Sequence, residues 1–251
     1  MKVRALRTLT FVTVAAFAAA CSSDSTAPNR QPADLGEVLT EMNVPAVAAS
    51  LVPGLPATPS ASAITPSSCS YDAGTQRFNC PVETVTGVSF TRWFTLLNAG
   101  GTPQSQFDAA TTDGVHLNSS VQGNFTANGS KVIVAGNEDL TLRGLLSGVR
   151  TLAGTSLLNV NGTDATTGNP FVLSVSTTID DLVLPDTPAD RWPKSGSVTV
   201  HATHMMAGIT TTSQLSATFN GTSKVAVSLT SGGITVSCTV DLASQSPTCG
   251  A

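Results

Sequence analysis

The residues of this chain whose type and spacing most directly suggest chemistry are its five cysteines, Cys21, Cys69, Cys80, Cys238 and Cys249. A thiol can pair, ligate a metal or carry an acyl group, and spacing separates these fates. Four of the five fall in two matched segments. Cys69–Cys80 and Cys238–Cys249 both read C-[ST]-x-D-x-x-[ST]-Q-x-x-x-C, aligning Asp72 with Asp241, Thr75 with Ser244 and Gln76 with Gln245. Ten residues intervene in each, an even number that lets the cysteines face each other across a hairpin. Directly opposed antiparallel residues can sit about 4.5 Å apart at Cα, a separation a disulfide spans. Local pairing would close two small loops, each contributing about 2–3 kcal/mol in the chain-entropy view. Four cysteines allow three connectivities, and cross-pairing would instead staple the first strand to the last. The C-x₂₋₄-C spacing of zinc sites is absent. Asp72 and Asp241 are expected to accept hydrogen bonds from turn amides.

Other reactive types are scattered. His201 and His204 stand three apart, a metal-pair spacing on a helix, but strand-like flanks send positions three apart to opposite faces. His116 has no His or Cys close in sequence. Asp180 and Asp181, with Asp186 and Asp190 beyond, and Glu138-Asp139 read as solvated strand ends or loops, since calcium needs six to eight converging oxygens. No G-x-S-x-G elbow and no glycine-rich phosphate loop is present. Arg92-Trp93 and Arg191-Trp192 each set a cation beside an indole. Trp93 is expected in the core, and Trp192 at one end of the sheet. Asn118, Asn124, Asn128, Asn161 and Asn220 form Asn-x-Ser/Thr triplets, three of which (Asn128, Asn161, Asn220) read as Asn-Gly turns. These residues name no catalytic site, no cofactor and no metal ligands.

The remaining cysteine belongs to the N-terminus. Lys2, Arg4 and Arg7 precede an apolar run from Leu9 to Ala20. Those residues span roughly 18 Å as a helix, short of a bilayer core of about 30 Å. The run reads as a signal peptide rather than a permanent span. It ends Phe17-Ala18-Ala19-Ala20-Cys21, which resembles the lipobox of bacterial lipoproteins, although Ala18 stands where that class usually has Leu. The resemblance covers about the first 21 residues. It implies cleavage before Cys21, diacylglycerol on its sulfur and acylation of the new N-terminus. With Ser22 and Ser23 following, it also implies an outer-membrane destination in the bacterial envelope. An ordinary A-x-A cleavage at Ala18 and Ala20 is the rival reading. Parity favours lipidation, which uses the odd cysteine and leaves four to pair.

Composition narrows the partners. Loss of Lys2, Arg4 and Arg7 with the leader takes the formal charge from −4 to −7. An acidic chain argues against a phosphate-backbone partner, so no nucleic acid is expected. It argues equally against a polybasic membrane patch. Only 11% of residues are charged and 5% aromatic, while Ser and Thr supply about a quarter. Hydroxyl-covered β-sheet fits that balance.

The elements that must position these residues follow from periodicity. Residues 1–20 are the signal peptide, and 21–66 a lipid-proximal tether. Within the tether, 33–42 place Leu35, Val38, Leu39 and Met42 on one face of a short helix. Residues 44–66, with five prolines, form a linker. From 67 to 251 the period is two. Strands are expected at 68–72, 77–81, 86–97, 115–126, 131–135, 139–146 and 154–161, and around Phe171–Ile179, Val198–Ala202, Leu215–Phe219, Val225–Leu229 and Ile234–Leu242. Tight turns at Asn220-Gly221 and Ser231-Gly232-Gly233 require antiparallel neighbours. The expected fold is all-β: an antiparallel meander making a sandwich, a barrel or a curled sheet. Its partners would be the membrane, through the lipid, and an envelope protein or an apolar ligand. Three functions remain open: a noncatalytic envelope binding or structural module, a carrier of an apolar molecule on an inner face, and a hydrolase.

Overall fold

The structure, a computed structural model, describes residues 69–249 apart from 86, 128, 166, 186–191 and 245. The signal segment, Cys21 and the helix expected over 33–42 lie outside the described residues. The chain forms β1 (Ser70–Asp72), β2 (Arg77–Asn79), β3 (Glu83–Val85), β4 (Val88–Asn98), β5 (Pro103–Gln104), β6 (Thr112–Ala127), β7 (Ser130–Arg143), β8 (Thr151–Thr163), β9 (Pro170–Val183), β10 (Ser195–Met206), β11 (Ile209–Thr218), β12 (Lys224–Ser231), β13 (Ile234–Asp241) and β14 (Ser246–Cys249). All join one antiparallel sheet in the order β1-β2-β4-β6-β7-β8-β9-β10-β11-β12-β13-β14, with β3 and β5 each pairing β4. The path starts at β1 and stops at β14 without closing, so of the three expected forms this is the curled sheet.

Alternation assigns every side chain to a face. Along β4, Val88, Phe90, Arg92, Phe94 and Leu96 share one face, and register carries it across the sheet. Phe94 opposes Leu117, Leu117 opposes Leu140, and Leu140 opposes Gly154. The row continues through Ile179, Val198, Ala217, Val227 and Cys238. The other face carries Ser, Thr, Asn and Gln, as in the row Thr91, Ser120, Asn137, Leu157, Ser176 and His201.

A lone sheet has no second layer to bury its apolar face. The solution lies at one end of the strands. Register shifts fall between Leu97 and Asn98, between Leu152 and Gly154, and between Ser195 and Ser197. All three sit toward the same end. Bulges bend and twist strands, and Gly154 (φ +147°) shows why one residue type is needed there. A Cβ on Gly154 would lie 2.1 Å from the Asp139 carbonyl oxygen. Curled at this end, the apolar face meets itself and is stoppered by the connections. Leu184, Phe219 and Leu242 join Leu142, Leu152, Leu182, Leu215, Val225 and Leu229 in one buried cluster, with Trp192 packed against it. A second, smaller cluster holds Phe78, Phe94 and Leu96 at the β1–β2 side. There Phe78 stacks on Phe94 at 4.8 Å and meets Tyr71 at 5.1 Å.

Two local expectations need correction. Strand β7 runs unbroken through 136–138, where the sequence suggested a gap. A Cβ on Gly136 would lie 2.7 Å from the Leu157 carbonyl oxygen and 3.2 Å from both Leu158 Cδ1 and Val121 Cγ1. The missing side chain thus marks close approach within the sheet, not a turn. Asn161-Gly162 likewise lies inside β8, with the Phe171 ring over Gly162: its Cζ would be 2.5 Å from a Cβ there. By contrast, Asn220-Gly221 does separate β11 from β12, with Gly221 at φ +81°. Gly232 and Gly233 take φ +57° and +83° between β12 and β13, as a primed hairpin turn requires.

Leu215, fully buried, is the most direct test of this core. Leu215→Ala should cost about 2–5 kcal/mol in denaturant unfolding, whereas Leu157→Ala on the polar face should cost less than about 1 kcal/mol.

Candidate functional site

The cysteines expected to pair do so locally: Cys69 with Cys80 and Cys238 with Cys249, at Cα separations of 4.1 and 4.0 Å. Both hairpins keep the same register, Asp72 opposite Arg77 and Asp241 opposite Ser246. Asp72 accepts from the Gly74 amide and the Thr75 hydroxyl, each at 2.9 Å, and Asp241 accepts from the Ala243 amide at 2.9 Å. The Thr75 hydroxyl and the Gly74 amide hold the Asp72 carboxyl below the usual carboxylate range, and the Ala243 amide does the same for Asp241. The two hairpins occupy the two lateral edges of the sheet. Short, cross-linked terminal strands, with Pro247 removing a donor from β14, blunt edges that would otherwise pair with other chains.

The larger opportunity for binding is the apolar face away from the bulges. Moving up the strands from the packed end, one row runs over β4 to β9 as Arg92, Ser119, Glu138, Ser156 and Thr177, and continues over β10 to β13 as Val200, Leu215, Leu229 and Val236. Over β4 to β9 it is a polar belt on an otherwise apolar surface. The Ser119 hydroxyl donates to Glu138 Oε2 at 2.6 Å. Above the belt the face turns apolar again, with Phe90, Val121, Leu158, Val175 and Ala202, but these residues are only half-buried. At the rim the exposure rises further: Ile209 is 72% and Ile234 68% exposed, although both lie on the apolar face. Phe171, leaning over Gly162, helps bury Val132 beside it. Apart from Val134 and Val132 on β7, at 2% and 7% exposure, the face is therefore more accessible above the belt than at the packed end below it.

The polar face carries a second cluster that sequence reasoning missed. Trp93, expected in the core, belongs to neither buried cluster and points to the polar side. The Arg77 guanidinium lies over its ring at 4.8 Å from the centroid, and His116 meets it edge-on at 5.7 Å. His116 Nε2 contacts Asp139 Oδ1 at 2.7 Å and the Asn118 amide at 3.1 Å. A carboxylate that close fits a proton on Nε2, which His116 donates to Asp139. Arg77 in turn donates to Asn79 at 2.9 Å. The groups satisfy one another, and the ring contact contributes about 0.5–1 kcal/mol. The arrangement is a brace across β2, β4, β6 and β7. Alternation would have found it, because a face holding Phe90, Phe94 and Leu96 must also take Arg92 and send Trp93 to the other side.

His201 and His204 lie on opposite faces of β10, opposite Ser176 and Leu173 respectively. Asp180 and Asp181 are exposed at the bulged end of β9. Among the described residues, no three His, Cys, Asp or Glu side chains converge as a metal site, and no helix is long and apolar enough to cross a membrane. The chain matches no protein-family description, no curated protein and no solved structure.

The two hairpin carboxylates yield a pH prediction. Their folded-state values are depressed, so the stability they add is present above the ordinary carboxylate value and is lost as pH falls through the folded value. In acid titration of unfolding, Asp72→Asn with Asp241→Asn should be less stable than the parent near neutrality. It should also lose less stability than the parent below pH of about 4.

Proposed function

We propose that this chain is a lipid-anchored protein of the bacterial envelope, exported by residues 1–20, acylated at Cys21 and held at the outer membrane by residues 21–66. In this reading the β-domain from residue 67 is a noncatalytic binding module. Two disulfides among the described cysteines leave Cys21 as the odd thiol, which is what lipidation of that residue would need. The observation that carries the binding role is the graded burial of the apolar face. A sheet that needed only to fold would seal that face along its length, yet this one leaves Leu158, Val175 and Ala202 half-buried. Soluble surfaces rarely leave contiguous apolar area uncovered unless it has an occupant.

The same observation favours, within that role, the carrier form: an apolar molecule lying on the inner side of the curl. Convergent polar side chains on the polar face are spent on one another, as in the Arg77–Trp93–His116–Asp139 brace, which gives the hydrolase reading no support.

Two outcomes test the proposal. Cys21→Ser should move the protein from the membrane pellet to the soluble fraction, and the parent's N-terminal peptide should carry acyl mass; retention without that mass contradicts the anchor. An uncharged polarity-sensitive dye such as Nile red should brighten on the parent and lose most of that signal with Val175→Asp. An equal signal from both would remove the apolar face from the binding role.

A further inference from the structure

We infer that the open part of the apolar face takes a single-chain anionic amphiphile, a long-chain carboxylate, with its head at the polar belt beside Arg92 and its tail running up to the rim. This rests on the binding reading above and adds the chemical class of the ligand.

The belt supplies the head site. Arg92 shares its face with Phe90 and Phe94, yet it is charged and half-buried. Among the described residues its side chain enters no ion pair and no hydrogen bond. A guanidinium is a forked donor whose geometry matches a carboxylate. Its neighbour in the row, Ser119, points its hydroxyl proton at Glu138, two strands from Arg92, or roughly 9–10 Å at the strand spacing. Glu138 repels an anion placed near β7 and so confines the head to the β4–β6 side of the belt. The two charges make the row asymmetric, which an uncharged ligand would not need.

The rows above supply the tail site. From Ser119 in the belt to Phe125 at the rim is six residues of β6, or roughly 20 Å at about 3.3–3.4 Å per residue. That length suits a long acyl tail and leaves a short acid far from the rim. Along it the apolar face offers Val121 and Phe125 on β6, with Phe90 and Val88 on β4 paired to Val121 and Gly123. Below the belt Phe94 and Leu96 are packed, at 3% and 0% exposure, so the tail has only the upward direction. Val85, 42% exposed and paired to Val88 of β4, makes an apolar threshold beside the rim through which it enters.

The test uses the full chain carrying Cys21→Ser, so that no acyl group of its own competes, and measures binding of oleate, oleyl alcohol and octanoate by calorimetry. Oleate should bind at one site and more tightly than octanoate. Arg92→Gln should weaken oleate about tenfold or more, the loss expected for a charge-assisted pair. Glu138→Gln should tighten oleate, and neither change should alter oleyl alcohol by more than about twofold. Near-UV circular dichroism and thermal midpoints matching the parent establish that both variants are folded. If oleate and oleyl alcohol bind alike and Arg92→Gln changes neither, the anionic-head assignment fails while the apolar face keeps its binding role. If none of the three binds, or if sedimentation shows a second copy of the chain covering the face, both readings fail together.

Discussion

A single β-sheet with one apolar face must bury that face against itself, and everything else in this molecule follows from how incompletely it does so. No second layer and no helix is present among the described residues to share the task. The register shifts at Leu97, Leu152 and Ser195 bend the strands at one end, and the loop residues Leu184, Phe219 and Leu242 fill the space that the curl encloses. At the other end the strands run without comparable shifts, and much of the same face stays half-buried or exposed. Closure and openness are two consequences of where the bulges fall.

The lateral edges are the second problem of an open sheet. A meander that stops without closing presents unpaired backbone at both sides, which other edges can pair with, and a lipid-anchored chain, as proposed, would meet them at the membrane. Both terminal strands here are the outer arms of small disulfide hairpins built on one pattern, with an aspartate capping each turn. The disulfides therefore act where fraying would begin. The four cysteines hold the edges, and the proposed acyl group on Cys21 would hold the whole chain at its surface.

Much of this was legible from the residues alone. Twelve-residue cysteine segments with an even spacing gave the local pairing and the role of Asp72 and Asp241, because a hairpin of fixed register leaves little freedom. Period-two alternation gave the antiparallel meander and the buried faces of β11, β12 and β13. Glycines were harder. Gly136 and Gly162 look like turn residues in one dimension, but their reason lies across the sheet, in the Leu157 carbonyl and the Phe171 ring. Sequence-local chemistry cannot distinguish a glycine that turns the chain from one that admits a neighbour. The Arg77–Trp93–His116–Asp139 brace was missed for a related reason. Its members come from four strands, and the adjacency of Arg92 and Trp93 in sequence suggested a pair that alternation pulls to opposite faces. The openness of the upper face could not be read at all, since it depends on bulges whose positions are set by pairing rather than composition.

Hydroxyl-radical footprinting of the intact, folded protein tests this asymmetry most directly. Fast modification of Met206, Leu158 and Phe171 is expected under conditions where Phe94, Leu215 and Leu229 stay unmodified until the protein unfolds. Equal protection of both groups would mean that the upper face is covered, and the division of one sheet into a sealed half and an accessible half would be wrong.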